Sequence, residues 1–144
     1  MTAQAKPPVH FWLIAAASLL WNAMGAYDYT MTQTRNTAYL EGFSADTIAW
    51  IDSFPVWAMI AWAVGVWGSV LGSVLLLARS RLAVAMFLVS FAGALASMAY
   101  QHFGSAMPDD VRGFAAAAFS LAILLVVAAL WRFSAQARRK GWLR

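Results

Sequence analysis

The sequence predicts an all-α membrane protein: an antiparallel bundle of four transmembrane helices with both ends in the cytoplasm. Three observations predict this fold class. Of the 144 residues, 62% are hydrophobic and 11% are charged, against about 25% charged in an ordinary soluble domain. A soluble chain of this length would leave too much apolar surface in water. Four apolar segments are also long enough to span a bilayer, and most of the positive charges flank them on one side.

The four predicted spans lie at about 9–26, 54–78, 82–100 and 113–131. A hydrocarbon core of roughly 30 Å requires about 20 mostly apolar residues. Each span must be a helix, because lipid offers open backbone groups no hydrogen-bond partner. The second span is the clearest, since no charged residue lies between Asp52 and Arg79. A cleaved signal peptide is the alternative for the first span, because Lys6 precedes an apolar stretch followed by small residues.

The basic residues predict the orientation. Eight of the ten lie on one side of the predicted spans, which the positive-inside rule assigns to the cytoplasm. All six acidic residues and the other two basic residues lie on the opposite side. We therefore expect a multi-pass protein with cytoplasmic termini. The basic residues on the cytoplasmic side are Lys6, Arg79, Arg81, Arg132, Arg138, Arg139, Lys140 and Arg144.

One connection between spans is long, and it lies outside. This outer loop, 30–53, begins with polar residues and then carries the signal of a short helix. Ser44 is suited to cap that helix. Ile48, Trp50 and Ile51 place it at the membrane interface, where tryptophan is favoured.

The segment 132–144 is a basic tail on the predicted cytoplasmic side. One interpretation is a topology anchor attracted to anionic lipid. The alternative is docking of a cytoplasmic partner protein. The basic residues occur in short blocks between apolar runs rather than along one face, so we expect no nucleic-acid partner.

Small residues recur at three- and four-residue steps in the second and third spans, which is the spacing that lets membrane helices approach closely. The short turn between these spans makes them antiparallel neighbours. We expect their small residues to face each other within one chain; the alternative is the seam of a homodimer. The residues concerned are Gly65, Gly68, Gly72, Ser90, Gly93 and Ser97.

Polar and aromatic residues near the outer side are the candidate contacts for a ligand or a partner. Asn22 is the one strongly polar residue well inside a predicted span, and its amide needs a partner there. Asp28 lies at the outer end of the first span. Three interpretations are open for its carboxylate: it is hydrated, it pairs with Arg35, or it contacts a solute. Trp62 and Trp67 lie deep in the second span, where they either pack against other helices or form a stacking surface for a flat or sugar-like ligand. The full candidate set is Asn22, Asp28, Tyr29, Arg35, Asn36, Trp62 and Trp67.

The sequence contains no pattern of catalytic, cofactor-binding or metal-binding residues. His10 and His102 lie on opposite sides of the predicted membrane, and there is no cysteine to supply a thiolate. We therefore expect neither an enzyme nor a bound cofactor or metal.

Two stretches resemble a known family: LLWNAMGAYDYTMTQTRN at 19–36, and SFP at 53–55 followed by GVWG at 65–68. The chain resembles a small four-span bacterial inner-membrane family of unknown function, some of whose members are labelled sugar transporter without an established activity. The resemblance implies the bacterial inner (plasma) membrane as location. It implies no activity and no site residues.

Two functions remain open at this stage. The first is a structural or accessory membrane component that binds a larger protein through the outer loop or the basic tail. The alternative is a small transporter or solute-binding protein working as a homo-oligomer. Four helices at 8–10 Å spacing are expected to fill their own core with side chains, which favours the accessory function.

Overall fold

The computed structural model describes residues 5–144, and in this range the chain forms six α-helices and one π-helical segment with no strand. Four of the helices are long and apolar enough to cross a membrane. The predicted fold class, an all-α bundle of four membrane helices, is confirmed. In chain order the elements are α1 (Val9–Gln33), α2 (Thr37–Leu40), α3 (Ala45–Asp52), α4 (Val56–Leu77), α5 (Leu82–Ala99), the π segment (Tyr100–Gly104) and α6 (Phe114–Arg139).

The bundle has two ends of different character. The loop end comprises residues 34–55, including α2 and α3, and residues 100–113. The terminal end comprises the start of α1, the turn at residues 78–81 and the residues after α6. The first and last parts of the described chain meet there, since the Arg79 guanidinium donates to the carbonyl of Ala5 at 3.3 Å and to that of Trp142 at 2.8 Å.

The first and fourth membrane helices, α1 and α6, are longer than the predicted spans. Helix α1 continues to Gln33, where a left-handed residue, Arg35, with φ 55°, lets the N–H of Asn36 return to the Met31 carbonyl at 3.1 Å. This is a Schellman ending, which satisfies the last open carbonyls of a helix. The outer loop also contains two short helices instead of one, because Asn36 caps α2 as well as Ser44 capping α3.

Helices α4 and α5 pack with their backbones almost in contact. A Cβ atom added to Gly93 would lie 2.8 Å from the Ala61 carbonyl oxygen and 2.8 Å from the Gly65 nitrogen. The Ser90 hydroxyl donates to the Gly65 carbonyl at 2.5 Å. Gly68 faces Ser90, and Gly72 faces the ring of Phe87. The small residues of α4 and α5, which are joined by the turn at residues 78–81, therefore meet within a single chain.

Helix α1 is joined to α4 by buried polar groups. The Asn22 amide nitrogen donates to the Ser73 hydroxyl at 2.9 Å and to the Ser69 carbonyl at 3.2 Å. The Ser18 hydroxyl lies 3.0 Å from that of Ser73. Interhelical hydrogen bonds of this kind hold helices together in lipid, where hiding apolar surface gives little gain.

Part of the predicted basic tail, 132–144, is helical, and its last residues pack on the bundle. Helix α6 continues to Arg139, and the chain then folds back so that Leu143 is buried in the core with Phe11 and Phe87. The Arg144 N–H donates to the Arg79 carbonyl at 2.5 Å, and the Arg81 N–H donates to the Arg144 carbonyl at 2.9 Å. The last residues therefore close the terminal end of the bundle.

Candidate functional site

A cavity of about 910 Å³ occupies the loop half of the bundle. All four membrane helices contribute side chains to it, and α2 and α3 cover it. The expectation that the helices fill their own core is therefore wrong for this half. The reason is geometric, because the helices pack in a row: α1 on α4, α4 on α5 and α5 on α6. In the loop half α1 and α6 meet through side chains such as Trp21 and Phe119, whose ring centroids lie 6.5 Å apart.

The floor of the cavity is polar and lies near the middle of the helices. It includes Asn22 from α1, Ser69 and Gly65 from α4, and Ser90 from α5. Asn22 is 7% exposed, and its amide nitrogen makes both of its hydrogen bonds to α4. Among residues 5–144, no donor is bonded to its carbonyl oxygen Oδ1. That oxygen is available to a ligand that carries a hydrogen-bond donor.

The roof consists of the short helices α2 and α3, which are fixed by contacts with distant parts of the chain. The guanidinium of Arg35 forms a salt bridge with Asp52, and the indole N–H of Trp50 donates to the Ser105 hydroxyl at 2.9 Å. These contacts hold the aromatic residues of the roof over the cavity. The roof residues that line it are Tyr39, Phe43, Thr47, Trp50 and Ile51.

One carboxylate anchors α3 to the segment before α6. Asp110 accepts hydrogen bonds from the hydroxyls of Ser44 at 2.5 Å and Thr47 at 2.8 Å. These two hydrogen bonds lower the pKa of Asp110 below its usual value, because they stabilise the charged form. The anchor is therefore intact at all pH values above the ordinary range of an aspartate.

Asp28 is the only charged residue among the described residues that line the cavity. It lies inside α1, half-buried beneath the roof, and its Oδ1 accepts a hydrogen bond from the Tyr39 hydroxyl. Burial and this hydrogen bond raise the pKa of Tyr39 to about 12, so the phenol stays a neutral donor at physiological pH. Arg35 pairs with Asp52 instead, and no salt bridge to Asp28 forms within residues 5–144.

Aromatic rings surround the upper part of the cavity. Tyr39 packs edge-on against Tyr27 at 5.8 Å and contacts Phe43 at 5.6 Å between ring centroids. Trp50 and Phe54 pack edge-on at 4.9 Å. These rings give the cavity a mainly apolar wall with few polar groups, which is the usual character of a small-molecule site.

Three side chains of α1 and α6 line the cavity and are largely exposed. Leu20 and Met24 on α1 are 72% and 68% exposed, and Phe119 on α6 is 61% exposed. All three also line the cavity. The wall between α1 and α6 is therefore the least buried part of the cavity.

The seven candidate contacts from the sequence fall into three groups. Asn22, Asp28 and Trp62 line the cavity, and Tyr29 packs on Trp62 at 5.0 Å between ring centroids. Trp67 is 49% exposed and does not line the cavity. Arg35 and Asn36 act in the roof, where Asn36 caps α2 through its side-chain oxygen at 3.0 Å from the Tyr39 nitrogen.

Several cavity residues were not singled out from the sequence. Tyr39, Gln101 and Ser120 all line the cavity, yet they are far apart in sequence and carry no motif. The His102 ring lies 3.0 Å from the Ser120 hydroxyl and ties the π segment to α6. The only signal in the sequence for Tyr39 is that it follows Asp28 by 11 positions, in the adjoining loop. Within the described part of the chain, no three histidine, aspartate or glutamate side chains gather to hold a metal ion.

Comparison with family models, curated proteins and solved structures yields no match to this chain. The function is therefore argued from the geometry of the chain itself.

Proposed function

We propose that this multi-pass membrane protein binds a small amphipathic molecule in the cavity of its loop half. One observation carries the proposal: a partly open cavity of about 910 Å³ that combines an aromatic wall, a polar floor and one carboxylate. This volume falls within the range of roughly 300–1,000 Å³ that is typical of ligand pockets. The polar groups would orient the ligand and the rings would bury its apolar part.

The accessory function, favoured at first on the sequence, has less support from the geometry. It depended on helices that fill their own core, and it placed the partner contacts in the outer loop and the tail. In the folded chain Asp110 anchors α3, and Leu143 is buried in the terminal end. Parts of both segments thus make intramolecular contacts, although the basic side chains of the tail stay exposed.

The test uses phenylnaphthylamine, a neutral aromatic dye that becomes fluorescent in apolar sites. Purified protein should bind one dye molecule per chain in a saturable manner, with energy transfer from the cavity tryptophans. Ile123 lines the cavity on α6, so Ile123→Trp should fill part of it and weaken dye binding about tenfold or more.

Leu125→Trp provides the matched control. Leu125 lies on the same helix, is 60% exposed and does not line the cavity, so the same enlargement there should leave dye binding unchanged. Equal dye binding by both variants would place the dye on the lipid-facing surface and contradict the proposal. Circular dichroism and thermal unfolding of both variants would show that each is folded.

The orientation and location belong to the same proposal. Eight basic residues lie at the terminal end or in the last part of α6, which supports a cytoplasmic position by the positive-inside rule. The resemblance described above supports the bacterial inner membrane. The chain has no cysteine, so Glu41→Cys and Arg139→Cys each supply a single label site. An impermeant maleimide added to intact cells should label only position 41, and labelling of position 139 alone would reverse the orientation.

A further inference from the structure

The charge distribution of the loop end favours a cationic ligand. Apart from Asp28 in the cavity, the loop end carries five acidic and two basic side chains, a formal charge of −3. A surface of one sign raises the local concentration of oppositely charged ligands and lowers that of like-charged ones. Whatever enters the cavity from this side therefore passes through a negative field.

The one charge of the cavity lining has the same sign. Asp28 lines the cavity, its Oδ1 is bonded to Tyr39, and no described residue donates to its Oδ2. Attraction between opposite charges is stronger at a half-buried site than in open water, so Oδ2 is suited to hold a cation that enters the cavity. The nearest basic residue in the outer loop, Arg35, pairs with Asp52.

Aromatic rings near Asp28 offer a surface for the apolar part of such a cation. Tyr27 and Tyr39 flank it, and their ring centroids lie 5.8 Å apart. Phe43 continues the group at 5.6 Å from Tyr39.

We propose that the cavity selects a lipophilic organic cation, of the ammonium or phosphonium class, with its charged group beside Asp28 and its apolar body against the aromatic wall, in the space between Asp28 and the polar floor at Asn22. This inference rests on the proposed function, since it names the ligand class of the same cavity. Asp28 and Asn22 are six residues apart on α1, which corresponds to about 9 Å along the helix. A ligand of one or two aromatic rings spans that distance.

Two probes of the same shape and opposite charge test the selection: tetraphenylphosphonium and tetraphenylborate. The purified full chain should bind the phosphonium at least about tenfold more tightly than the borate, measured by displacement of phenylnaphthylamine. Asp28→Asn should remove this preference, because a carboxylate and a cation in contact attract strongly where water is scarce. The same variant should still bind the neutral dye.

Asp109→Asn is the matched control, because Asp109 also lies at the loop end and its side chain is 99% exposed. It removes one negative charge without touching the cavity, so the preference for the phosphonium should persist. Tyr39→Phe is the second variant. It removes the hydrogen bond that Asp28 accepts and leaves both carboxylate oxygens to the cation, so the preference for the phosphonium over the borate should rise; an unchanged or lower preference would contradict the inference, even if Asp28→Asn fails to fold.

The outcomes separate the two proposals. Dye binding without any preference between the two probes would overturn the cation inference and leave the proposed function standing. Failure of the neutral dye and both ions to bind would overturn both. Loss of the preference in Asp109→Asn would assign it to the surface field and also overturn the inference. Competition by phosphatidylethanolamine, but not by phosphatidylglycerol, would support a lipid headgroup as the cation's source; no competition would support a free amine.

Discussion

Asn22 on α1 donates its side-chain amide to the Ser73 hydroxyl on α4 across 2.9 Å, while the same residue forms part of the cavity floor. The amide nitrogen therefore serves the packing of the bundle, and the carbonyl oxygen is left for the cavity. The two roles belong to different atoms of one side chain, and different substitutions separate them.

Ser73→Ala should lower stability and leave ligand binding intact. It removes one of the two acceptors of the Asn22 amide, at a position that does not line the cavity. We expect the free energy of unfolding to fall by about 0.6–2 kcal/mol, the range of an interhelical hydrogen bond in a membrane. Asn22→Ala should show a similar loss of stability and, in addition, weaker dye binding. The measurements are unfolding in mixed micelles and dye titration. Equal dye affinity in both variants would assign Asn22 to packing alone.

The close approach of α4 and α5 makes Gly93 intolerant of a single methyl group. The added Cβ would meet the backbone of Ala61 and Gly65 at 2.8 Å, and backbone atoms cannot rotate away. Gly93→Ala should therefore cost about 1–3 kcal/mol. At Gly25 on α1 an added Cβ meets nothing within 4 Å, so Gly25→Ala should be neutral or stabilising, since alanine favours helix. Thermal unfolding of the two variants checks this, and equal melting temperatures would contradict the packing described.

How much of this could be predicted from the sequence depends on the range of the interactions. The four spans follow from apolar composition, and the facing of Gly65 and Gly93 follows from spacing and a short turn. The cavity does not, because an apolar residue that faces lipid and one that faces a gap look alike in sequence. Met24 is 68% exposed and also lines the cavity, and its residue type is typical of both.

The roof and the tail show the same limit. The bond between Ser44 and Asp110 joins residues 66 positions apart, and no local pattern indicates it. Leu143 stands among basic residues and reads as part of a solvated tail, yet it is 1% exposed. Both contacts depend on the assembled bundle. Local capping at Asn36 and Ser44, by contrast, depends on neighbours three residues away.

Arg79 holds the tail in place, and its loss should release residues 140–144. Its side chain donates to the Trp142 carbonyl at 2.8 Å, and a hydrogen bond from a charged group contributes about 1.5–3 kcal/mol. Arg79→Ala should therefore speed trypsin cleavage after Arg138 to Lys140 by about tenfold or more, if cleavage follows local opening. Arg81→Ala is the control, because that side chain is exposed in the same turn. Equal cleavage of both variants would show that the tail does not depend on Arg79.

The anchor between α3 and Asp110 should respond to pH in one direction. The folded-state pKa of Asp110 is lowered from 3.8, so its contribution to stability is complete above the unfolded value and is lost as pH falls through the folded one. Hydrogen exchange of residues 45–52, corrected for intrinsic rates, should stay slow at pH 5 and accelerate only below about 3.8. Asp110→Asn should weaken protection already at pH 7, whereas Asp109→Asn should not. If Asp110→Asn protects these residues as well as the unaltered chain does, Asp110 does not anchor α3.

The central claim is that the cavity holds a small molecule in the native membrane. The most direct measurement is the native mass of the assembly, extracted gently from its own membrane with surrounding lipid. We predict one additional small mass per chain that is absent from Ile123→Trp and present in Leu125→Trp. An identical set of bound masses in the two variants, or none in the unaltered protein, would contradict the account.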